Sequence, residues 1–478
     1  MTEPSKEPRH GSLQSPSSNA RRRARSRSLR GGAARVDRSS RQPRYDLARQ
    51  VKSAQFDRRP ALIVRAVDAG DVARTVNLAR ESGLPLSVRG GAHSLAGFGT
   101  NDGGIVLDLA AMNGLLIDPE ARTAWAQPGL TAGEYTEAAA AHGLATPFGD
   151  TASVGIGGLT LGGGIGWLVR KHGLTIDALL AVEIVTTDGR QVTASTNSHP
   201  DLFWAVRGGG GNFGVVTRFQ FRLYPVSEIL GGALFMPATP EVLRNLVPIA
   251  QAAPEELTTI TFLMHVPPAP FAPPELIGKL SVAIMFVWCG EPEAGQAALK
   301  PFRQLAAPLF ELVMPMPYPG IYQMLAEAEK RAHGSHRSRF LTTLDDDAVD
   351  AILAAMTAPS SPAAMVQIRA LGGVMPWVPA GATAFAHRDA PIMLVVITPY
   401  EDPATEPVHA AWTRALHDAL APNDAGIYSN FLEAEGEARI RAAYPRGAYE
   451  RLAGIKRRYD PVNLFRLNQN IRPSVGAR

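Results

Sequence analysis

Hydrophobic and polar positions alternate in two textures along this chain, and the change falls near Pro225. From Ala61, apolar runs of strand length trade places with helical stripes: ALIVRAV, DAGDVARTVNLARESG, LPLSVRGG and GIVLDL. The helix among them has Asp71 near its start, Val72, Val76 and Ala79 on one face, and Gly83 past its end. A second unit follows, with TAWAQPGL as strand and TAGEYTEAAAAHG as helix, then a glycine-rich stretch from Phe148 to Trp167. ALLAVEIVTTDGRQVTAS predicts a β-hairpin turning at Asp188-Gly189, and the period-two run VVTRFQFRLYPV predicts a further strand.

Beyond Pro225 the apolar segments LTTITFLMHV, KLSVAIMFVW and PIMLVVITPY predict strands. Between them, TPEVLRNLVPIAQ and DDDAVDAILAAM predict amphipathic helices. The pattern implies a sheet, expected antiparallel, with helices over one face. YERLAGIKRRYDPVNLFRLNQNI predicts a helix stopped by Asp460-Pro461 and then an extended tail. The fold class is therefore α+β, and 478 residues exceed what one core ordinarily serves, so two domains are expected.

Charge changes the picture at one end only. Residues 1–44 hold twelve Lys/Arg and three acids, whereas the remainder carries 36 Lys/Arg against 41 acids. The basic character therefore belongs to a tail with almost no apolar residues, which is expected to lack a fold of its own. No apolar run follows Arg23, so its arginines are not read as an export signal. No stretch approaches the ~18 apolar residues of a membrane span, and a cytoplasmic protein is expected. Nucleic acid is disfavoured as a partner, because only this tail suggests it. The single cysteine, Cys289, excludes an internal disulfide and a cysteine-built metal cage, and no metal site is expected.

The candidate chemistry lies in the glycines. Gly209, Gly211 and Gly214 spell a G-x-G-x-x-G, but a helical pattern precedes it and a strand follows, the reverse of the nicotinamide-binding order. SVRGGAHS ends a strand in a turn at Gly90, Gly91 and Ala92, where consecutive backbone N–H groups suit a pyrophosphate. VGIGGLTLGGGIGW lets a flat apolar ligand approach the backbone closely.

In that order, SVRGGAHSLAGF, GIVLDL, VGIGGLTLGGGIGWL, DLFWAVRGGGGNFGVVTRF and YDPVNLFRLNQNI resemble the berberine-bridge-type FAD-linked oxidases of the vanillyl-alcohol-oxidase-like flavoproteins. The resemblance spans Tyr45 to Pro473. It implies a two-subdomain FAD-binding unit at 45–227, a substrate-binding domain at 228–430, and a segment from 431 to 478 returning to the flavin. It places FAD on Arg89, Gly90, Gly91, Ala92, His93 and Ser94, on Thr151, Val154, Gly155, Gly158 and Gly163, on Gly214 and Val216, and on Asn468 and Gln469. His93 falls at the family's covalent flavin histidine. The cysteine of the second attachment is replaced by Thr151, so the bond is expected through His93 only.

The same resemblance implies oxidation of a hydroxyl-bearing small molecule (sugar, phenolic or natural-product intermediate) by hydride transfer to the flavin, with molecular oxygen as the reoxidant. Tyr428, in GIYSNF, matches the family's base, with Phe431 where a second tyrosine is usual. An ordinary tyrosine pKa near 10 must fall by roughly three units to give phenolate at neutrality, unless proton transfer is concerted. Val396 aligns where plant relatives carry Glu or Gln. Val154 borders the face where oxygen must arrive. Two readings compete: a dehydrogenase serving a quinone or protein acceptor, and a flavin-binding protein without turnover.

Overall fold

The computed structural model describes residues 35–37, 43–226, 228–268 and 272–475. A four-stranded sheet is formed by β1 (Arg35–Asp37), β2 (Leu62–Arg65), β3 (Leu86–Arg89) and β4 (Ile105–Asp108), in the order β1-β2-β4-β3. β2, β4 and β3 run parallel, as a crossover helix between strands demands. That helix, Ala69–Ser82, starts where the Asp68 side chain accepts from Asp71 N–H and stops at Gly83, whose φ is +68°. Its buried face, Val72, Val76 and Ala79, packs on Val64, Leu86, Ile105 and Leu107.

A strand and the start of a helix precede the boundary expected at Tyr45. Pro43–Ala48 is helical, and β1 pairs antiparallel with β2, Arg35 opposite Arg65. Strand pairing uses backbone groups that every residue but proline supplies, so a polar segment can join a sheet edge without apolar side chains. The other residues of the basic tail, Arg21–Arg23 among them, lie outside the described residues.

The second subdomain is an antiparallel sheet of β5 (Leu115–Asp118), β6 (Thr123–Ala126), β8 (Leu179–Val185), β9 (Gln191–Ser195) and β10 (Val215–Arg222), in the order β5-β6-β10-β8-β9. Two short strands, β7 (Leu144–Ala145) and β11 (Tyr224–Pro225), pair beside it. The hairpin turns at Asp188-Gly189, with Gly189 at φ +79°. The helix Ala132–Ala140 opens with a reciprocal cap between Thr131 and Glu134. Tyr135, Phe148 and Phe221 meet edge to face in its core, centroids 4.7 to 5.9 Å apart.

The remaining strands are β12 (Glu228–Pro237), β13 (Leu257–His265), β14 (Leu280–Trp288), β15 (Phe310–Pro317), β16 (His333–Leu341), β17 (Met365–Ala370), β18 (Ile392–Tyr400) and β19 (Asp424–Gly426). They form one sheet in the order β15-β12-β14-β13-β17-β18-β16-β19, every pair antiparallel. Helices Pro240–Ala252, Asp346–Thr357 and Glu406–Ala419 cover one face, burying Leu246, Ile352 and Leu416 against Phe286, Leu394 and Val396. The other face turns toward the glycine-rich half. Arg388 joins the two halves, gripping the Asp177 carboxylate with N–H···O bonds of 2.8 and 2.7 Å.

The closing helix, Ala448–Tyr459, ends at a fully buried pair, Lys456 and Asp460, 2.7 Å apart. Both charges are fully committed. Lys456 Nζ also donates to the carbonyls of Asn212 and Phe465, and Asp460 accepts from Leu464 N–H, Phe465 N–H and Thr187 Oγ1. This knot sends residues 464–471 back against the glycine turn at 209–212. Among the described residues no helix is long and apolar enough to cross a membrane.

Candidate active site

Every site residue named from the sequence lines one cavity of about 660 Å³, with the exception of Gly163. Gly163 stands behind the wall at φ +133°, where a Cβ would press on the rings of Phe385 and Tyr428. It shapes the seat of Tyr428 instead of touching the cavity.

The first turn and the second cross back to back. A Cβ on Gly91 would come within 2.8 Å of Gly155 Cα, and a Cβ on Gly155 within 2.9 Å of Gly91 Cα. Neither has a left-handed φ; close approach alone excludes a side chain at both. The left-handed position of this turn is Ala92, at φ +61°, a conformation that costs a non-glycine residue roughly 1–2 kcal/mol. Gly158, by contrast, has nothing within 4 Å of its missing Cβ and leaves the wall open there. Such a cradle fits FAD, because it offers backbone free of side chains at close range to a flat ring.

The Arg89 guanidinium is committed to Asp108 at 2.9 Å, both buried, so it braces the ends of β3 and β4 under the turn. His93 Nε2 lies 3.0 Å from Ser153 Oγ, a bond across the two turns that sets the ring's orientation. Ser94 accepts from Phe98 N–H at 3.3 Å and shapes the following turn. Thr151 and Val154 stand on the opposite rim, and Cys289 is buried in the sheet domain, away from the cavity lining. Asn212 gathers the third turn and the C-terminal segment, donating to the carbonyls of Gly209 and Gln469 and accepting from Ile471 N–H. Gln469 is held by the Leu432 carbonyl at 2.8 Å, and the Asn468 Oδ1 is buried without a protein partner among the described residues. A buried, unpaired acceptor on the cavity's rim is a place for a ligand donor.

Tyr428 sits at the far end. Its hydroxyl oxygen accepts from Gly164 N–H at 2.8 Å and from Asn430 Nδ2 at 2.9 Å. With two donors on the oxygen, the hydroxyl proton is the part left to give away. Burial pushes the phenol up to about 12, outweighing the Gly164 and Asn430 donors and the positive charge of Arg369. Burial thus works against the neutral-pH phenolate considered from sequence, and the two donors instead stabilise charge as it develops. Phe431 stacks on the ring, centroids 5.6 Å apart.

Sequence reading missed the sheet side. Val396, aligned with a polar residue of the plant relatives, points the other way, into the core under the helices. The pleat of β18 presents its neighbours Ile397 and Pro399 to the cavity, and β17 presents Met365, Gln367 and Arg369. Arg369 Nη2 meets Asp150 at 2.6 Å and its Nε donates to Gln367 at 3.0 Å. The signal was present in MVQIRA, where polar residues recur at every second position of an apolar strand.

A cavity walled by crossed glycine turns, with a histidine on one rim and a doubly hydrogen-bonded tyrosine at its end, defines an FAD-dependent oxidoreductase. Residues 60–195 match the FAD binding domain model and residues 427–472 the berberine and berberine like model. The (R)-6-hydroxynicotine oxidase of Paenarthrobacter nicotinovorans is 31% identical over 440 residues, covering 90% of this chain and 94% of that protein. The uncharacterized FAD-linked oxidoreductase YgaK of Bacillus subtilis is 31% identical over 451 residues, covering 90% and 95%. The crystal structure of 6-hydroxy-D-nicotine oxidase from Arthrobacter nicotinovorans aligns with a TM-score of 0.83 at 29% identity, over 92% of this chain and 98% of that one. The chain belongs to the berberine-bridge-type FAD-linked oxidoreductases.

Proposed function

We propose that this protein is an oxidase of a hydroxyl-bearing small molecule, with FAD bonded to His93 alone. The observation that carries the reading is that His93, the crossed turns and Tyr428 all open onto one cavity. FAD, when bound, supplies the two-electron acceptor. The chain's residues do the rest. The turn at Arg89–Ser94 and the run from Val154 to Gly158 hold the cofactor, and Ser153 orients the imidazole for a single covalent bond. Thr151 has no thiol to form a second. Tyr428 acts by relay: its oxygen takes the substrate's hydroxyl proton as its own phenolic proton passes to solvent, in step with the oxidation, because a standing phenolate is too costly in that burial. Relatives named as oxidases, the (R)-6-hydroxynicotine oxidase among them, support oxygen as the reoxidant, and Val154 leaves more room on that rim than a leucine does.

Acid precipitation tests the attachment. The pellet should stay yellow, and a tryptic peptide containing His93 should carry the flavin mass; in His93→Ala the colour should move to the supernatant. A colourless wild-type pellet would remove the covalent bond from the proposal. Peroxide released during turnover of an alcohol panel tests the oxidase reading, and a flavin that stays reduced for minutes in air would favour a dehydrogenase.

A further inference from the structure

Resting on that reading, we propose that Arg369 anchors the substrate, and that the substrate is a largely apolar ring compound bearing a carbonyl or phenolate oxygen, not an oligosaccharide. Three central strands of the sheet, β13, β17 and β18, offer the cavity Phe262, Met365, Gln367, Arg369, Ile397 and Pro399. Only two of these six are polar. A sugar needs a partner for each hydroxyl it buries, and the patch around Arg369 offers few; the further polar lining of the sheet, His333 and His336, stands on β16, across β18 from it.

The two polar residues are already joined. Arg369 is 3% exposed. Its Nη2 is committed to Asp150 at 2.6 Å and its Nε to Gln367 at 3.0 Å. Nη1 is buried with no hydrogen-bond partner among the described residues. A guanidinium cannot shed its protons, so a buried N–H there calls for an acceptor oxygen. Asp150 neutralises the cation, which makes a polarised oxygen sufficient and a full carboxylate unnecessary. The guanidinium carbon lies 5.6 Å from the centroid of Phe431, and Phe431 stacks on Tyr428. A ring lying along Phe431 therefore brings its oxygen to Arg369 while its reacting hydroxyl stays beside Tyr428.

The test is titration of the oxidised, flavin-loaded enzyme, without oxygen turnover, with 2-acetylnaphthalene, 2-naphthol, naphthalene and cellobiose, read by the flavin difference spectrum. The oxygen-bearing rings should bind at least about tenfold more tightly than naphthalene, the worth of one hydrogen bond to a charged group. Cellobiose should give no saturable change. Arg369→Lys keeps the charge against Asp150 but has no forked second nitrogen, and should erase the preference while naphthalene binding stays as it was. Should that variant fail to fold, Gln367→Met, which only releases the guanidinium's Nε, should reduce the same preference. Saturable cellobiose binding, a preference unchanged in the variants, or equal loss for naphthalene would overturn the anchor. A yellow enzyme without the preference sinks this inference alone; wild-type protein without flavin sinks the oxidase reading beneath it.

Discussion

The two walls of the cavity are made of different material. On the glycine side the contacts are backbone: Gly91 and Gly155 cross where neither tolerates a Cβ, and Ala92 holds a left-handed φ to complete the turn. On the sheet side the contacts are side chains standing on a pleated sheet, with Gln367 and Arg369 facing in and Val396 facing out. A backbone wall has one solution, because removing every side chain is the only way to bring two chains together. A side-chain wall has many, since any residue of suitable size can occupy a pleat position. The first suits a fixed cofactor, the second a substrate that differs between relatives.

Breaking the backbone wall should have the largest effect. Gly155→Val forces branched atoms into the Gly91 turn, where the neighbour is main chain and cannot step aside. The variant should purify colourless, with a lowered melting temperature. A yellow, stable Gly155→Val would mean that the turns need not cross.

Next comes the residue that stands between the walls. Tyr428→Phe should keep its flavin and lose about 10²–10⁴-fold in flavin reduction rate, the usual worth of a positioned base. Stopped-flow reduction checks it, and an unimpaired variant removes Tyr428 from the chemistry. With its phenol raised to about 12, the tyrosine favours the folded state in its neutral form. That contribution is whole below about pH 10, its unfolded value, and fades as pH climbs through about 12. Urea melts across that range should show wild type losing stability faster than Tyr428→Phe.

A smaller change at the rim sharpens the contrast. Val154→Leu adds one methylene beside the cofactor wall and should slow reoxidation in air at least about tenfold, since a single methylene can fill a void in a packed site. Equal reoxidation in the two proteins would detach Val154 from oxygen access. The smallest effect on turnover is expected at Val396→Ala. It should cost about 1–3 kcal/mol of stability through lost packing under the helices, with substrate kinetics unchanged. Altered substrate affinity there would contradict the facing of β18.

The glycine clusters, the strand and helix alternation and the stop at Asp460-Pro461 were legible because each is a local rule: a turn, a period, a cap. The candidate cofactor residues came from the family resemblance and not from such rules, and Gly163 alone among them stands behind the cavity. Local rules did not reveal why Gly91 and Gly155 are glycines, because the chain that forbids a side chain at one is sixty-four positions from it, at the other. Nor could they tell Val396 from Ile397, whose roles differ only by which way a pleat faces once β17 and β16 have fixed the register. The pairing of Arg369 with Asp150 and the knot of Lys456 with Asp460 were likewise decided in three dimensions. Period, cap and turn are properties of neighbouring residues, whereas facing, burial and charge pairing depend on what the rest of the fold brings alongside.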